Sequence, residues 1–316
     1  MRIAYIECFS GISGDMTVGA LLHAGISEEL LQRTVAALNI GAELRLRRVD
    51  RSGISATKVD VLVNGKLADR VDDSDHAHPH QHDHPHAHAH SHSHTHSHSH
   101  SHGHQHAHNH GPADHRERRS LSTIKNIIRK ADIAAPARDM AIRAFELLGA
   151  AEAGVHNVPI ASIHFHEVGA VDTIVDIVCA SVGCHALGVD RFICSPLNVG
   201  GGTVKCAHGD FPVPAPATLV LLKGVPIYSS GVQAELVTPT GAALVRALDC
   251  SFSAFPSMNV KSIGYGAGSR ELQGAPSVLR ISVGELTDTA ENLSHADSQP
   301  DVTVLGQTLS TTLQVV

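Results

Sequence analysis

Between His76 and His110 every second residue is a histidine, and this run constrains the chain more than any other feature. It comprises His76, His78, His80, His82, His84, His86, His88, His90, His92, His94, His96, His98, His100, His102, His104, His106, His108 and His110, eighteen of the 26 histidines. The residues between them are small or polar, and none is a large apolar one. Such a segment buries too little surface to offset the entropy lost on ordering it. The sequence therefore predicts a disordered linker over 71–119, set between two folded parts. Neutral imidazole is a common ligand for transition metals, so the run has capacity for several Ni, Zn or Cu ions near neutral pH and releases them as the pH falls. A pH-sensing or merely solubilising linker is the competing reading.

Outside the run 281 residues remain, enough for two compact domains. With no Trp and only ten Phe plus Tyr, the core must be built from Val, Ile, Leu and Ala. No apolar run reaches the ~18–20 residues that span a bilayer, and Met1 to Glu7 turns polar too early for a signal peptide. Lys plus Arg total 24 against 31 Asp plus Glu, a formal charge of −7, which argues against nucleic-acid binding by phosphate neutralisation. Cys8, Cys179, Cys184, Cys194, Cys206 and Cys250 show no paired framework. The expectation is reduced thiols in a cytoplasmic protein, with no membrane or nucleic-acid partner and with room for homo-oligomers.

Periodicity predicts a strand over residues 2–8, a short helix from Met16 to Ala24, and a second helix capped by Ser27 with Glu28 and Glu29 in its first turn. Leu44 and Leu46, then Val59, Val61 and Val63, read as strands. Beyond the run, helices are expected near Ile124–Ile128, from Pro136 to Leu148, from Val168 to Leu187, near Leu219 and from Thr240 to Leu248. Strands are expected over Ile160–His166, Phe192–Ser195, Val260–Ile263 and Val278–Val283, with 196–217 a shaped loop. The fold class is α/β, or mixed α+β. The division is 1–70 as an N-terminal α/β part, 71–119 as the linker, 120–285 as the main domain and 286–316 as a polar tail.

Three constellations can carry chemistry. His164 and His166 share a face on a strand, followed by Glu167; Asp172 and Asp176 share a face on a helix that is otherwise apolar. Carboxylates on such a helix are costly unless paired or holding a cation, so this is a mixed N/O metal site or a capping network. Cys206 and His208 follow Gly200-Gly201-Gly202; they suit a soft or borderline cation or a thiol–imidazole nucleophile, against an incidental cysteine in a glycine-rich loop. Ser10-Gly11-Ile12-Ser13-Gly14-Asp15 lies between a strand and a helix and can bind an anion, cap the helix or hold a cation. It lacks the Gly-Lys-Ser/Thr of a Walker loop. Thr238-Pro239-Thr240-Gly241 and Gly264-Tyr265-Gly266-Ala267-Gly268 are further candidate ligand loops, or tight turns.

The segments Cys8–Met16, His164–Asp172, Ser195–Gly202, Pro212–Thr218 and Thr238–Gly241 together resemble one family, the nickel-insertion proteins that complete the nickel-pincer nucleotide cofactor of lactate racemase. The resemblance runs from residue 2 to about 285, interrupted by the His run. It implies a lyase-type, chelatase-like nickel insertase. Ni²⁺ enters pyridinium-3,5-bisthiocarboxylic acid mononucleotide, binding two sulfurs and a ring carbon that loses its proton, in a cyclometallation tied to CTP hydrolysis with Mn²⁺ or Mg²⁺. The chemistry then suggests His164, His166, Glu167, Cys206 and His208 for nickel handling. Asp172, Asp176 or Glu167 could act as base or further cation ligands. Ser10, Gly11, Ser13, Gly14, Asp15, Gly200, Gly201, Gly202 and Thr240 are candidates for holding the nucleotide.

The family usually continues beyond the strand matching Val278–Gly284 into an acidic α/β domain that binds the nucleoside triphosphate. Here Asp301–Leu305 resembles the start of that domain, and Gly306–Val316 departs from it. The expectation is a reading-frame change near Leu305, with the domain made by frameshifting or as a separate chain. Other implied partners are the mononucleotide substrate and a recipient apo-racemase-type enzyme. Two other readings compete: a nickel storage or delivery chaperone without chemistry of its own, and a metal-dependent hydrolase.

Overall fold

The computed structural model describes residues 1–68, 119–165, 170–206, 209–272 and 274–287. The linker expected over 71–119, save Arg119, falls outside them, as does the tail from residue 288. Before the His run come β1 (Arg2–Glu7), α1 (Gly14–His23), α2 (Glu28–Leu38), β2 (Ala42–Arg51), β3 (Ile54–Val63) and β4 (Lys66–Leu67). After it come β5 (Arg119–Ser120), α3 (Leu121–Lys130), α4 (Ala135–His156), a 3-10 turn (Ile160–Ser162), β6 (His164–Phe165), α5 (Val171–Ala186) and β7 (Arg191–Cys194). Then follow β8 (Leu197–Asn198), β9 (Thr203–Cys206), β10 (Gly209–Pro212), α6 (Pro216–Leu221), β11 (Ile227–Tyr228), α7 (Pro239–Ala247), β12 (Ser251–Phe252), β13 (Met258–Ala267) and β14 (Val278–Leu286).

The fold is mixed α/β, with one large sheet in the order β12-β7-β1-β14-β13-β3-β2 and β4 beside β3. β1 is parallel to β7 and antiparallel to β14, and β13 is antiparallel to β14 and parallel to β3. Strands from both sides of the His run thus hydrogen-bond into the same sheet. A change of composition marks where a linker begins; it says nothing of which bare strand edges will pair.

Side chains alternate across a strand. Ala4 and Ile6 of β1 enter the main core with α1, α4, α5 and α7, while Ile3 and Tyr5 pack on the other face with Ile193. Helix α5 is buried along most of its length, from Thr173 to Cys184, as its all-round apolar sequence requires. Ser13, Ser27, Ser120 and Thr238 cap α1, α2, α3 and α7 through their hydroxyls.

Three expectations need correction. The segment 196–217 is not simply a loop: it holds β8 and the antiparallel hairpin β9–β10, with its Gly and Pro residues at the bends. The strand expected over Ile160–His166 is a 3-10 turn followed by the two-residue β6, which pairs with β5. Gly264 to Ala267 are strand, not a ligand loop. A Cβ at Gly264 would stand 1.9 Å from the Ala20 carbonyl oxygen, and one at Gly266 1.8 Å from that of Met16. These glycines let α1 lie against the backbone of β13, a close approach that only the missing side chain permits.

Candidate functional site

The cavity starts from a mismatch in strand length. β3 touches β13 through one pair, Thr57 opposite Gly266. Past that pair β13 ends, while β3 continues to Val63 with β2 alongside it. The overhanging hairpin and the chain leaving β13 bound a cavity of about 470 Å³. Lys58 to Val61 and Arg47 form one wall, Gly268, Ser269, Arg270 and Leu272 a second, and Ser10, Ser13 to Met16, Asp172, Thr173, Asp176 and the stretch near Glu235, Thr238 and Thr240 the rest. The site lies beyond the carboxyl ends of β1 and β13, where open α/β sheets commonly bind ligands.

Three helices begin here. Ser13, Gly14 and Asp15 open α1, Asp172 and Thr173 lie in the first turn of α5, and Thr238 and Thr240 open α7. Ser13 Oγ accepts from Met16 N at 3.4 Å, and Thr238 Oγ1 accepts from Gly241 N at 3.1 Å. Helix N-termini favour negative charge, which offsets part of the cost of placing carboxylates among them. A Cβ at Gly14 would stand 2.5 Å from Asp176 Oδ2, so the Asp176 carboxylate lies directly over the first turn of α1.

Asp15 accepts four hydrogen bonds. Its Oδ1 accepts from Ser13 Oγ and, at 2.9 Å, from Met16 N. Its Oδ2 accepts from Lys58 Nζ at 2.5 Å and from Ser269 Oγ at 3.1 Å. Lys58 is only 3% exposed, and its Nζ also donates to the Val59 carbonyl at 2.9 Å, with Asp60 Oδ1 3.8 Å away. Arg45 and Arg47 both donate to Asp60 Oδ2, at 3.0 and 3.1 Å. Burial opposes the ionisation of Asp60, but the hydrogen bonds from Arg47 and Arg45 and the nearby Lys58 charge outweigh it and hold the carboxyl below its ordinary value.

The cavity thus gathers Ser10, Ser13, Gly14, Asp15, Thr240, Asp172 and Asp176 among the residues singled out in the sequence. Gly11, Gly200, Gly201, Gly202 and Cys206 are not on its wall. Gly11 and Gly200, both at φ +80°, instead face the backbone of 234–236: a Cβ would stand 1.9 Å from the Leu236 and the Ala234 carbonyl oxygens respectively. Their glycines serve chain-to-chain approach. Cys206 sits half-buried in β9, and His164 lies in β6 opposite Ser120. His166, Glu167, His208 and the eighteen histidines of the run lie outside the described residues. Among the described residues no three His, Cys, Asp or Glu side chains cluster as a metal site, and no helix is long and apolar enough to cross a membrane.

Sequence reasoning missed Lys58, Asp60, Arg47, Ser269, Arg270 and Glu235. A signal for three of them was present: Lys58 and Asp60 alternate with Val59, Val61 and Val63, and the neighbouring strand carries Arg45 and Arg47 in the same alternation. Five carboxylates and three basic side chains line the cavity in all. That mixture suits a ligand combining a cation with an anionic group.

A family model described as nickel insertion protein matches residues 4–308. The pyridinium-3,5-bisthiocarboxylic acid mononucleotide nickel insertion protein of Geobacillus kaustophilus is 38% identical over 303 residues, covering 95% of this chain and 64% of its own length. The protein of the same name from Desulfitobacterium hafniense strain DSM 10664 / DCB-2 is 42% identical over 289 residues, covering 91% and 60%. The chain thus spans less than two thirds of these relatives. No solved structure matches it. With the match running through both sides of the His run and through every wall of the cavity, the chain belongs to the nickel insertion protein family.

Proposed function

We propose that this chain inserts Ni²⁺ into pyridinium-3,5-bisthiocarboxylic acid mononucleotide and that the substrate binds in the cavity between the overhanging hairpin and the first turns of α1, α5 and α7. The observation that carries the reading is the mixed lining: Lys58, Arg47 and Arg270 suit a nucleotide phosphate, and Asp172 and Asp176 suit the incoming cation. Nickel is cargo here. As the nickel–carbon bond forms, the ring carbon gives up its proton, and the two thiocarboxylate sulfurs complete the pincer. Asp172 or Asp176 is the candidate acceptor of that proton within the described cavity, with Glu167 the third.

His164, His166, Cys206 and His208 are assigned to transient nickel handling, and the eighteen-histidine run to a removable nickel reservoir. The step is lyase-like and chelatase-like. CTP with Mn²⁺ or Mg²⁺ is assigned to the part of the longer relatives that this chain's match does not include, acting as a continuation or a separate chain. A recipient apo-racemase-type enzyme takes the product.

The test combines the chain, the precursor, Ni²⁺, CTP and Mn²⁺, with a relative's C-terminal domain supplied in trans, and follows the precursor by mass spectrometry. The expected product gains one nickel and loses the ring proton. Nickel bound stoichiometrically without incorporation overturns this reading in favour of a storage or delivery protein. Deleting residues 76–110 is expected to slow loading when nickel is scarce and to spare it in excess.

A further inference from the structure

The geometry points to Lys58, held by Asp15, as the residue that binds the phosphate of the mononucleotide; Asp15 acts as its positioning partner and not as a cation ligand. This rests on the substrate proposed above and divides the cavity into two subsites.

A carboxylate offers about four lone-pair positions. Those of Asp15 are filled by Ser13 Oγ, Met16 N, Lys58 Nζ and Ser269 Oγ. A metal ion would have to displace one of them. Lys58 differs. An ammonium has three donors, and two are used among the described residues, by Asp15 and the Val59 carbonyl. The third has no hydrogen bond among the described residues, since Asp60 Oδ1 stands 3.8 Å off, and it belongs to a side chain that lines the cavity and is almost wholly removed from solvent. An ammonium in such surroundings makes a stronger hydrogen bond to an anion than it would in water.

The neighbours assign the sides. Asp60, beside Lys58, is engaged by Arg45 and Arg47. Ser269 ties the loop after β13 to Asp15 and brings Arg270 to the same wall. A phosphate at Lys58 therefore has Arg47 and Arg270 beside it in the cavity lining. Asp172, Asp176 and Glu235 also line the cavity; these carboxylates repel a phosphate and attract a cation. A mononucleotide with its phosphate at Lys58 turns its ring toward α5.

The probe pair is nicotinic acid mononucleotide and the corresponding nucleoside, which share the pyridinium ring and ribose and differ in the phosphate. Both are titrated calorimetrically into the full chain and into Lys58→Met, Asp15→Asn and the double variant D15N/K58M, with thermal melts to verify folding. The double variant leaves no stranded charge, so it keeps the test valid should the single variant fail to fold. Wild type is expected to prefer the mononucleotide. Loss of Lys58 should reduce mononucleotide affinity about ten- to a hundredfold and leave nucleoside affinity unchanged, collapsing the preference. Asp15→Asn should reduce it less. A folded Lys58 variant with an undiminished preference overturns the inference and leaves the functional reading standing. Wild type that binds neither probe, or both equally, overturns the inference, while the nickel-loading assay decides the functional reading separately.

Discussion

The two main walls of the cavity are built by different means. On the helical side the polar groups come in compact sequence motifs, Ser13-Gly14-Asp15 and Asp172 with Asp176, and each is placed by its own helix start. On the hairpin side they come from alternate positions of two strands, Arg45 and Arg47 opposite Asp60 and Lys58. None of those four has a local motif. The helical wall is anchored by hydroxyl caps and close backbone contact; the hairpin wall is anchored by charge pairing that is only completed at the start of α1, where Lys58 reaches Asp15. Disrupting charge should therefore harm the hairpin wall more than it harms the helical one.

The largest effect is expected at Lys58. Removing one partner of a buried ion pair leaves the other charge stranded, at a cost of about 3–5 kcal/mol. Lys58→Met is expected to lose stability on that scale in denaturant titrations, and D15N/K58M to lose clearly less. For the helical wall, Ser13→Ala removes the cap of α1 and the hydroxyl that donates to Asp15, but strands no charge, and should cost about 0.5–2 kcal/mol. A Ser13→Ala loss as large as that of Lys58→Met would erase the distinction between the walls.

The same difference explains what was legible in the sequence. Helix starts are local: a hydroxyl, then carboxylates in the first turn, then apolar residues at helical spacing. The start of α2 was readable for that reason, and the pair Asp172/Asp176 from its helical spacing; α1 starts at Gly14, ahead of the Met16 expected, and is capped by Ser13. Strands β1, β2, β3 and β14 were readable from alternation. The overhang of β3 past β13 was not, because it depends on where Gly266 meets Thr57, more than 200 residues apart in the chain. Lys58 and Asp60 were therefore not singled out. Gly264 and Gly266 misled in the opposite direction. Glycine in a strand usually weakens the strand signal, but here it admits α1 against the backbone. Gly200, a candidate for holding the nucleotide, lies against the backbone of Ala234.

The next effect tests the helical wall by space instead of charge. Alanine at Gly14 would bring its Cβ to 2.5 Å from Asp176 Oδ2 and 2.6 Å from Asp176 Cβ. Overpacking of this kind costs about 1–3 kcal/mol, against a gain of up to about 1 kcal/mol in helix propensity. A net loss of about 1–2 kcal/mol is expected in urea titration, with Asp176 displaced from the cavity. Unchanged stability would mean that α1 and α5 slide apart freely, and the helical wall would then be the softer of the two.

A smaller effect, confined to acid, belongs to the hairpin wall again. The folded-state carboxyl of Asp60 titrates below its ordinary value. Its contribution to stability is therefore complete above the unfolded value of about 3.9 and is lost as the pH falls through the lower folded value. Asp60→Asn should be less stable than wild type near neutral pH and should converge on it as the solution is acidified below about pH 4. Denaturant midpoints collected across that range give the measurement. Parallel profiles for the two proteins would show that Arg45 and Arg47 do not hold the ionised form.

The smallest stability effects are expected from those two arginines, and they separate architecture from function most cleanly. Both reach Asp60 at 3.0–3.1 Å, and both side chains are about half exposed, 49% for Arg45 and 52% for Arg47. Exposed ion pairs contribute about 0–1 kcal/mol, and each arginine backs up the other. Arg45→Gln and Arg47→Gln should therefore lower the melting temperature by small and equal amounts. Only Arg47 lines the cavity, so only Arg47→Gln should weaken mononucleotide binding. Equal loss of binding in both variants would mean that the hairpin acts through its general field, and that neither arginine meets the ligand.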